Sequence, residues 1–187
     1  MRDAVGDRNA GGDVFMATTT RIPVSEYLHS SWNPDCDYVD GELQERNVGE
    51  IEHAKMQAAV TAWFYQHRKE WKLEVLSEVR IQVSDTRFRV VDVCLVSSEN
   101  KDPQIVQHAP LAIIEILSPE DRISRYQERL ADYRQMGIPN LWVIDPQGRR
   151  GYDCSTASWI ETVNFKVLGT SIRLDLQTIC AELDTPA

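Results

Sequence analysis

The chain has 187 residues and a mass of 21.4 kDa, enough for one domain whose core needs no disulfide or structural metal. At 42% hydrophobic and 26% charged residues it has the composition of a folded globular domain, which sets aside the disordered, collagen-like and membrane classes. Twenty basic against 29 acidic side chains give a net charge of -9, the wrong sign for broad attraction to nucleic acid, so any such contact has to be local.

Residues 1–20 mix Gly, Asp, Asn and Thr without apolar periodicity and read as a disordered leader, with Met16 reading as a natural start. Ser25 is expected to cap a short helix through Glu26, Tyr27 and Leu28. DYVDGELQER then reads as a hairpin turning at Asp40-Gly41, a dipeptide suited to tight turns. A helix is predicted from Ile51 to Trp71, with Met56, Val60, Trp63, Phe64 and His67 on one stripe. VLSEVRIQV, RVVDVCLVS and LAIIEILSP are β-branched runs that predict three strands of one sheet against that stripe.

Ser118, Pro119, Glu120 and Asp121 open a second helix, buried through Ile123, Tyr126, Leu130 and Tyr133 and stopped by Gly137 and Pro139. LWVIDP gives a further strand, and RRGYDC, SWIETVNF and SIRLDL read as short strands completing the sheet edge. The order is a hairpin, αβββαβ and a β tail, in a single α/β domain over residues 21–184. No apolar stretch approaches the roughly 20 residues of a membrane span. Cys36, Cys94, Cys154 and Cys180 form no CxxC pair, so neither a zinc knuckle nor a redox dithiol is written, and a reducing cytoplasm is expected.

Two carboxylates break the apolar pattern. Asp92 interrupts VVDVCLV and Glu115 interrupts IIEIL, each inside a strand otherwise apolar on both faces. An ionised carboxylate there costs several kcal/mol unless a cation, hydrogen bonds or a shifted pKa offsets it. Adjacent strands lie about 4.8 Å apart, so the pair could share one divalent cation, for which hard oxygen ligands suit Mg²⁺. The alternative is a pair of strand-end carboxylates at the sheet rim or matched by Arg89 or Arg122.

Other candidates are equally two-sided. His53 sits near the start of the first long helix, one turn before Met56 and Gln57, as either a hydrogen-bonded core residue or a ligand or general acid/base. Glu42 and Glu78 lie in predicted strands and either join the same pocket or face water, with solvent preferred for Glu78. Arg122, Arg125 and Arg129 form a basic ridge that could hold a phosphate, or a solvated flank interleaved with Glu128 and Asp132.

VDGELQER, His53, VVDVCLV, LAIIEILSPED and ERLADYRQMGIPNLWVIDP together resemble the Uma-two family, grouped with restriction endonucleases in the PD-(D/E)XK nuclease superfamily; the likeness spans roughly residues 23–165. The resemblance implies a restriction-endonuclease-like αβββαβ core with a mixed central sheet, and Mg²⁺-dependent (or Mn²⁺-dependent) attack of water on a DNA phosphodiester. Asp92 and Glu115 are then the metal ligands, and Arg129 stands where the family carries a lysine, just before the leucine of ERLADY. His53 and Glu42 complete the expected catalytic set. Two residues after Glu115, where the superfamily signature has lysine, this chain has Leu117. Arginine at 129 keeps the charge and can clamp phosphate, but with a pKa above about 12 it does not shuttle protons. The readings in play are a metal-dependent endonuclease with DNA as partner, a catalytically inactive nuclease-like module binding nucleic acid or protein, and an enzyme of another phosphoester. No membrane partner is expected, and a homodimer is left open.

Overall fold

Pro23, and not Ser25, precedes the first helix: α1 (Val24–His29) encloses Ser25, and no side chain caps it. What fixes α1 is Tyr27, fully buried, stacked on Tyr38 at 5.0 Å and donating its hydroxyl to the Cys36 carbonyl at 2.9 Å. The hairpin β1 (Cys36–Val39) to β2 (Glu42–Glu45) turns at Asp40-Gly41, where both residues take positive φ, 51° and 100°, as such a turn demands. The computed structural model describes residues 21–46, 50–101, 104–118 and 123–185. The expected leader, and the helix opening at Pro119, Glu120, Asp121 and Arg122, lie outside the described residues.

Next come α2 (Ile51–Trp71), β3 (Leu73–Ser84), β4 (Arg87–Ser97) and β5 (Ala112–Ile116). After them follow α3 (Ile123–Met136), β6 (Leu141–Asp145), β7 (Arg150–Asp153) and β8 (Ile160–Glu161). The strands form one mixed sheet along the path β2-β1-β4-β5-β6-β7-β8, with β3 added on β4 and β5–β6 its parallel pair. Met56, Val60 and Phe64 of α2 pack on Val93, Leu95, Ile114, Ile116, Trp142 and Ile144. Leu130 and Tyr133 of α3 pack on the opposite face, against Cys94, Ile113, Leu141 and Val143.

The tail differs from a run of edge strands. β9 (Asn164–Lys166) and β10 (Arg173–Asp175) form a separate two-stranded sheet, and α4 (Leu176–Leu183) follows. Asp175 caps α4 by accepting from the Gln177 and Thr178 amides. Leu176 and Ile179 then join the α2 side of the core, which closes over that face of the sheet.

The pairing of β4 positions everything that follows. β3 covers one edge of β4 along its whole length, from Leu73↔Ser97 to Ser84↔Arg87. The other edge is divided: β1 pairs with it at Arg87 and Phe88, and β5 from Val93 to Leu95. Among the described residues, no strand pairs with that edge over 89–92.

Candidate functional site

The open interval on β4 is buried, so its backbone polar groups must find partners. Side chains supply them. The Val90 amide donates to Asp37 Oδ1 at 2.9 Å, and the Val90 carbonyl accepts from Arg129 Nη2 at 2.6 Å. Where the β4–β5 ladder ends at Val93↔Ile114, the Ile116 amide donates to Asp92 Oδ2 at 2.8 Å. Asp92 and Glu115 lie one position beyond that last pair, on neighbouring strands, and both reach the same cavity. Each is only 1% exposed.

Arginines neutralise the pair. Arg46 binds Asp92 through Nη2 and Glu78 through Nη1, and His53 Nε2 lies 3.5 Å from Asp92 Oδ2. Glu115 Oε1 accepts from Arg129 Nη2 at 2.7 Å and from the Tyr133 hydroxyl. Arg129 Nη1 reaches Asp37 Oδ2 at 3.1 Å, and fully buried Arg89 holds the same Asp37 oxygen at 3.0 Å and Asp132 Oδ2 at 2.5 Å. The result is a continuous buried ion network linking β1, β4, β5 and α3.

The network separates the two carboxyl groups electrostatically. Burial alone would raise Asp92, but the hydrogen bond from His53 and the charges of Arg46 and Arg129 outweigh it and hold the group at about 2. For Glu115 burial wins: with Asp92 adding to it, and Arg129, Arg46 and the Tyr133 hydroxyl opposing, the carboxyl is pushed up to about 7. Burial would lower His53, yet its hydrogen bond to and the charge of Asp92 leave it above the usual histidine value. One carboxylate is therefore firmly ionised and its neighbour exchanges a proton near neutrality, the asymmetry acid–base chemistry uses.

Asp37, Arg46, His53, Asp92, Glu115, Ser118 and Arg129 line one cavity, whose enclosed part of about 20 Å³ has room for a water-sized group. Among the described residues, two buried donors there have no hydrogen-bond partner, Ser118 Oγ and Arg129 Nε. An unsatisfied buried donor costs about 1–3 kcal/mol, so the cavity is built to receive an acceptor.

Of the residues expected from sequence, Asp92, Glu115, Arg129 and His53 converge here, and Arg125 also lines the cavity. Glu42 does not. The hairpin register pairs it with Val39, at the turn end of β2, where its side chain is 43% exposed and 3.9 Å from Arg21. Asp37, paired with Gln44 two positions farther from the turn, and Glu45 at the far end of β2 are the hairpin carboxylates that line the cavity. Glu78 is half exposed, yet bonded to Arg46 and to Gln57 at 2.6 Å, with a φ of 50° that turns it out of ordinary strand geometry. The α3 ridge is divided: Arg129 and Asp132 are buried, at 5% and 4% exposure, whereas Glu128 is exposed. Arg122 lies outside the described residues.

Sequence reasoning leaves out Arg46, Asp37 and the Tyr133 hydroxyl. Asp37 carries the same signal as Asp92, a charge inside a strand, CDYV, that is buried throughout. Arg46 carries none, because a charge closing a polar hairpin strand ordinarily faces water.

Among the described residues, no group of three or more His, Cys, Asp and Glu side chains could hold a metal ion. The donor chemistry of Asp92 and Glu115 nevertheless suits a hard divalent cation, and the Arg46 guanidinium already stands as a cation on Asp92.

The family model for Uma2, described as "Putative restriction endonuclease", matches residues 24–156. A crystal structure described as a putative nuclease belonging to DUF820 from Anabaena variabilis shares the fold, with a TM-score of 0.72 at 17% identity, over 87% of this chain and 99% of that one. A cryo-EM structure of a DrdV–DNA complex is partly similar, with a TM-score of 0.40 at 16% identity, over 68% of this chain and 11% of that one. No curated protein matches.

Proposed function

Because this chain belongs to the Uma2 family of restriction-endonuclease-like proteins, we propose that it is a nuclease that hydrolyses DNA phosphodiesters with Mg²⁺ or Mn²⁺ held by Asp92 and Glu115. The observation that carries the reading is that buried Asp92 and Glu115, from neighbouring strands, line one cavity that also holds Arg129 and His53. A divalent cation on these two carboxylates would supply an activated water and draw charge from the phosphate.

The protein's own side chains would do the rest. Arg129, with Nε unpartnered, offers a donor to a phosphate oxygen while its two other nitrogens fix Asp37 and Glu115. The Ser118 hydroxyl offers a second, uncharged donor in the same cavity. With Glu115 given to the cation, His53, 3.5 Å from Asp92 and raised by it above the usual histidine value, is the cavity side chain placed to move a proton. The net charge of -9 makes the contact with nucleic acid local to this site.

One observation favours the non-catalytic nuclease-like module. Arg129 donates to Asp37, Val90, Glu115 and Tyr133, so it serves the architecture whether or not substrate arrives. The deciding assay is plasmid cleavage with Mg²⁺ or Mn²⁺ by wild type and Asp92→Ala, with EDTA as control. Cleavage that needs metal and is lost in Asp92→Ala supports the enzyme. Retained cleavage in Asp92→Ala refutes the assignment of the site, and no cleavage combined with DNA binding favours the module.

A further inference from the structure

Arg46 is bonded to two carboxylates of very different exposure. Asp92, on β4, has a side chain 2% exposed, and Glu78, on β3, has one 50% exposed; Arg46 itself is 16% exposed. Glu78 and Asp92 sit between the β3–β4 pairs Ser77↔Val93 and Val79↔Val91, with Glu78 at a φ of 50°. The guanidinium thus joins carboxylates from two adjacent strands, one buried and one at the surface. Gln57 ties both to α2, donating to Glu78 at 2.6 Å and to the Asp92 carbonyl at 3.1 Å.

Asp92 has little left to offer a second cation. One oxygen is held by Arg46, and the other takes the Ile116 amide and lies 3.5 Å from His53. A cation arriving at Asp92 must remove Arg46 from that oxygen. Only the buried contact needs to break, because the bond to Glu78 lies nearer the solvent.

We propose that Arg46 is a built-in competitor for the divalent cation at Asp92, and that Glu78 is the anchor that keeps the displaced guanidinium at the cavity rim. The inference rests on the metal-centre reading above. It assigns a role to the forked shape of arginine as well as to its charge: the guanidinium gives each carboxylate its own nitrogen, which a single ammonium does not. In the metal-free protein Arg46 replaces the missing positive charge, and in the loaded protein it becomes a positioning residue with donors directed at a substrate phosphate.

The test measures Mn²⁺ binding to the full chain by titration calorimetry and by the EPR signal of free Mn²⁺, without DNA, so that activity is not the readout. Wild type is compared with Arg46→Gln and Arg46→Lys, with far-UV circular dichroism to verify folding. The competitor model predicts tighter Mn²⁺ binding in Arg46→Gln, by about tenfold or more, and an intermediate gain in Arg46→Lys, which keeps the charge but has one nitrogen for both partners. If Arg46 merely contributes charge, Arg46→Lys binds like wild type, and the proposal is overturned. Equal affinity in all three proteins overturns it too, with the metal centre intact. Absence of Mn²⁺ binding in every folded variant removes the metal centre itself, and the proposal with it. Should Arg46→Gln fail to fold, the wild type and Arg46→Lys comparison decides alone.

Discussion

Replacing Arg129 by methionine keeps the aliphatic stem in the α3 core and deletes the cation shared by Asp37, Glu115 and the Val90 carbonyl. Asp37 retains Arg89, so the uncompensated group is Glu115, left with the Tyr133 hydroxyl. Breaking a buried ion pair from one side costs about 3–5 kcal/mol, and at about 2–4 °C per kcal/mol for a domain of this size the thermal midpoint should fall by roughly 6–20 °C at pH 8 in EDTA. The loss should shrink at acid pH. Burial raises Glu115 above its unfolded value, so the stability conferred by its bound proton is complete below about 4.5 and is lost as pH rises through about 7. Removing Arg129 takes away the main influence opposing that rise, so the variant stays protonated to higher pH and forfeits less at pH 5 than at pH 8. Scanning calorimetry at both pH values gives the answer. A midpoint unchanged at pH 8, or a deficit of the same size at both, refutes the claim that Arg129 chiefly compensates Glu115.

In wild type without metal, the unfolding free energy should decline between pH 5 and 8, with a slope of up to about 1.4 kcal/mol per pH unit for one proton, and Glu115→Gln should flatten the decline in urea unfolding; a profile that rises over this range contradicts it. Mg²⁺ or Mn²⁺ at 100 times its dissociation constant should stabilise wild type by about 2.7 kcal/mol through mass action, and Asp92→Asn should abolish the shift. A persistent shift in Asp92→Asn would move the cation elsewhere. Glu42→Gln should alter neither cleavage nor thermal midpoint, given an exposed side chain and a 3.9 Å contact to Arg21; a clear loss of cleavage would put Glu42 back in the site. Asp175→Ala should cost about 1 kcal/mol by uncapping α4, measured by urea unfolding, and an unchanged midpoint would show the helix held by its core contacts alone.

Asp92 and Glu115 are legible in the sequence because an ionisable group inside an all-apolar strand contradicts its surroundings. Their mutual placement follows once RVVDVCLVS and LAIIEILSP are neighbours, since antiparallel register then leaves few options. Glu42 and Asp37 show where this stops. Both are hairpin carboxylates, and whether a hairpin carboxylate enters the site, as Asp37 and Glu45 do and Glu42 does not, depends on how β1 docks on β4, information carried by no local pattern. Arg46 is hidden for a different reason: its partners come from strands more than 30 positions later. The tail helix is partly written, with Asp175 as cap and Leu176, Ile179, Cys180 and Leu183 at helical spacing, but the alternation of SIRLDL runs into it and carries the strand pattern one residue too far.

The open interval on β4 also turns two backbone amides into reporters. Val90 and Ile116 donate to carboxylates where a neighbouring strand would ordinarily offer carbonyls. A carboxylate can change its charge or its partner, and a strand carbonyl cannot. The amide proton resonance of Ile116 should therefore follow whatever happens at Asp92, and that of Val90 should follow Asp37. Cation arrival, guanidinium exchange and substrate docking thereby become visible by nuclear magnetic resonance at two backbone positions, without altering a single residue of the network.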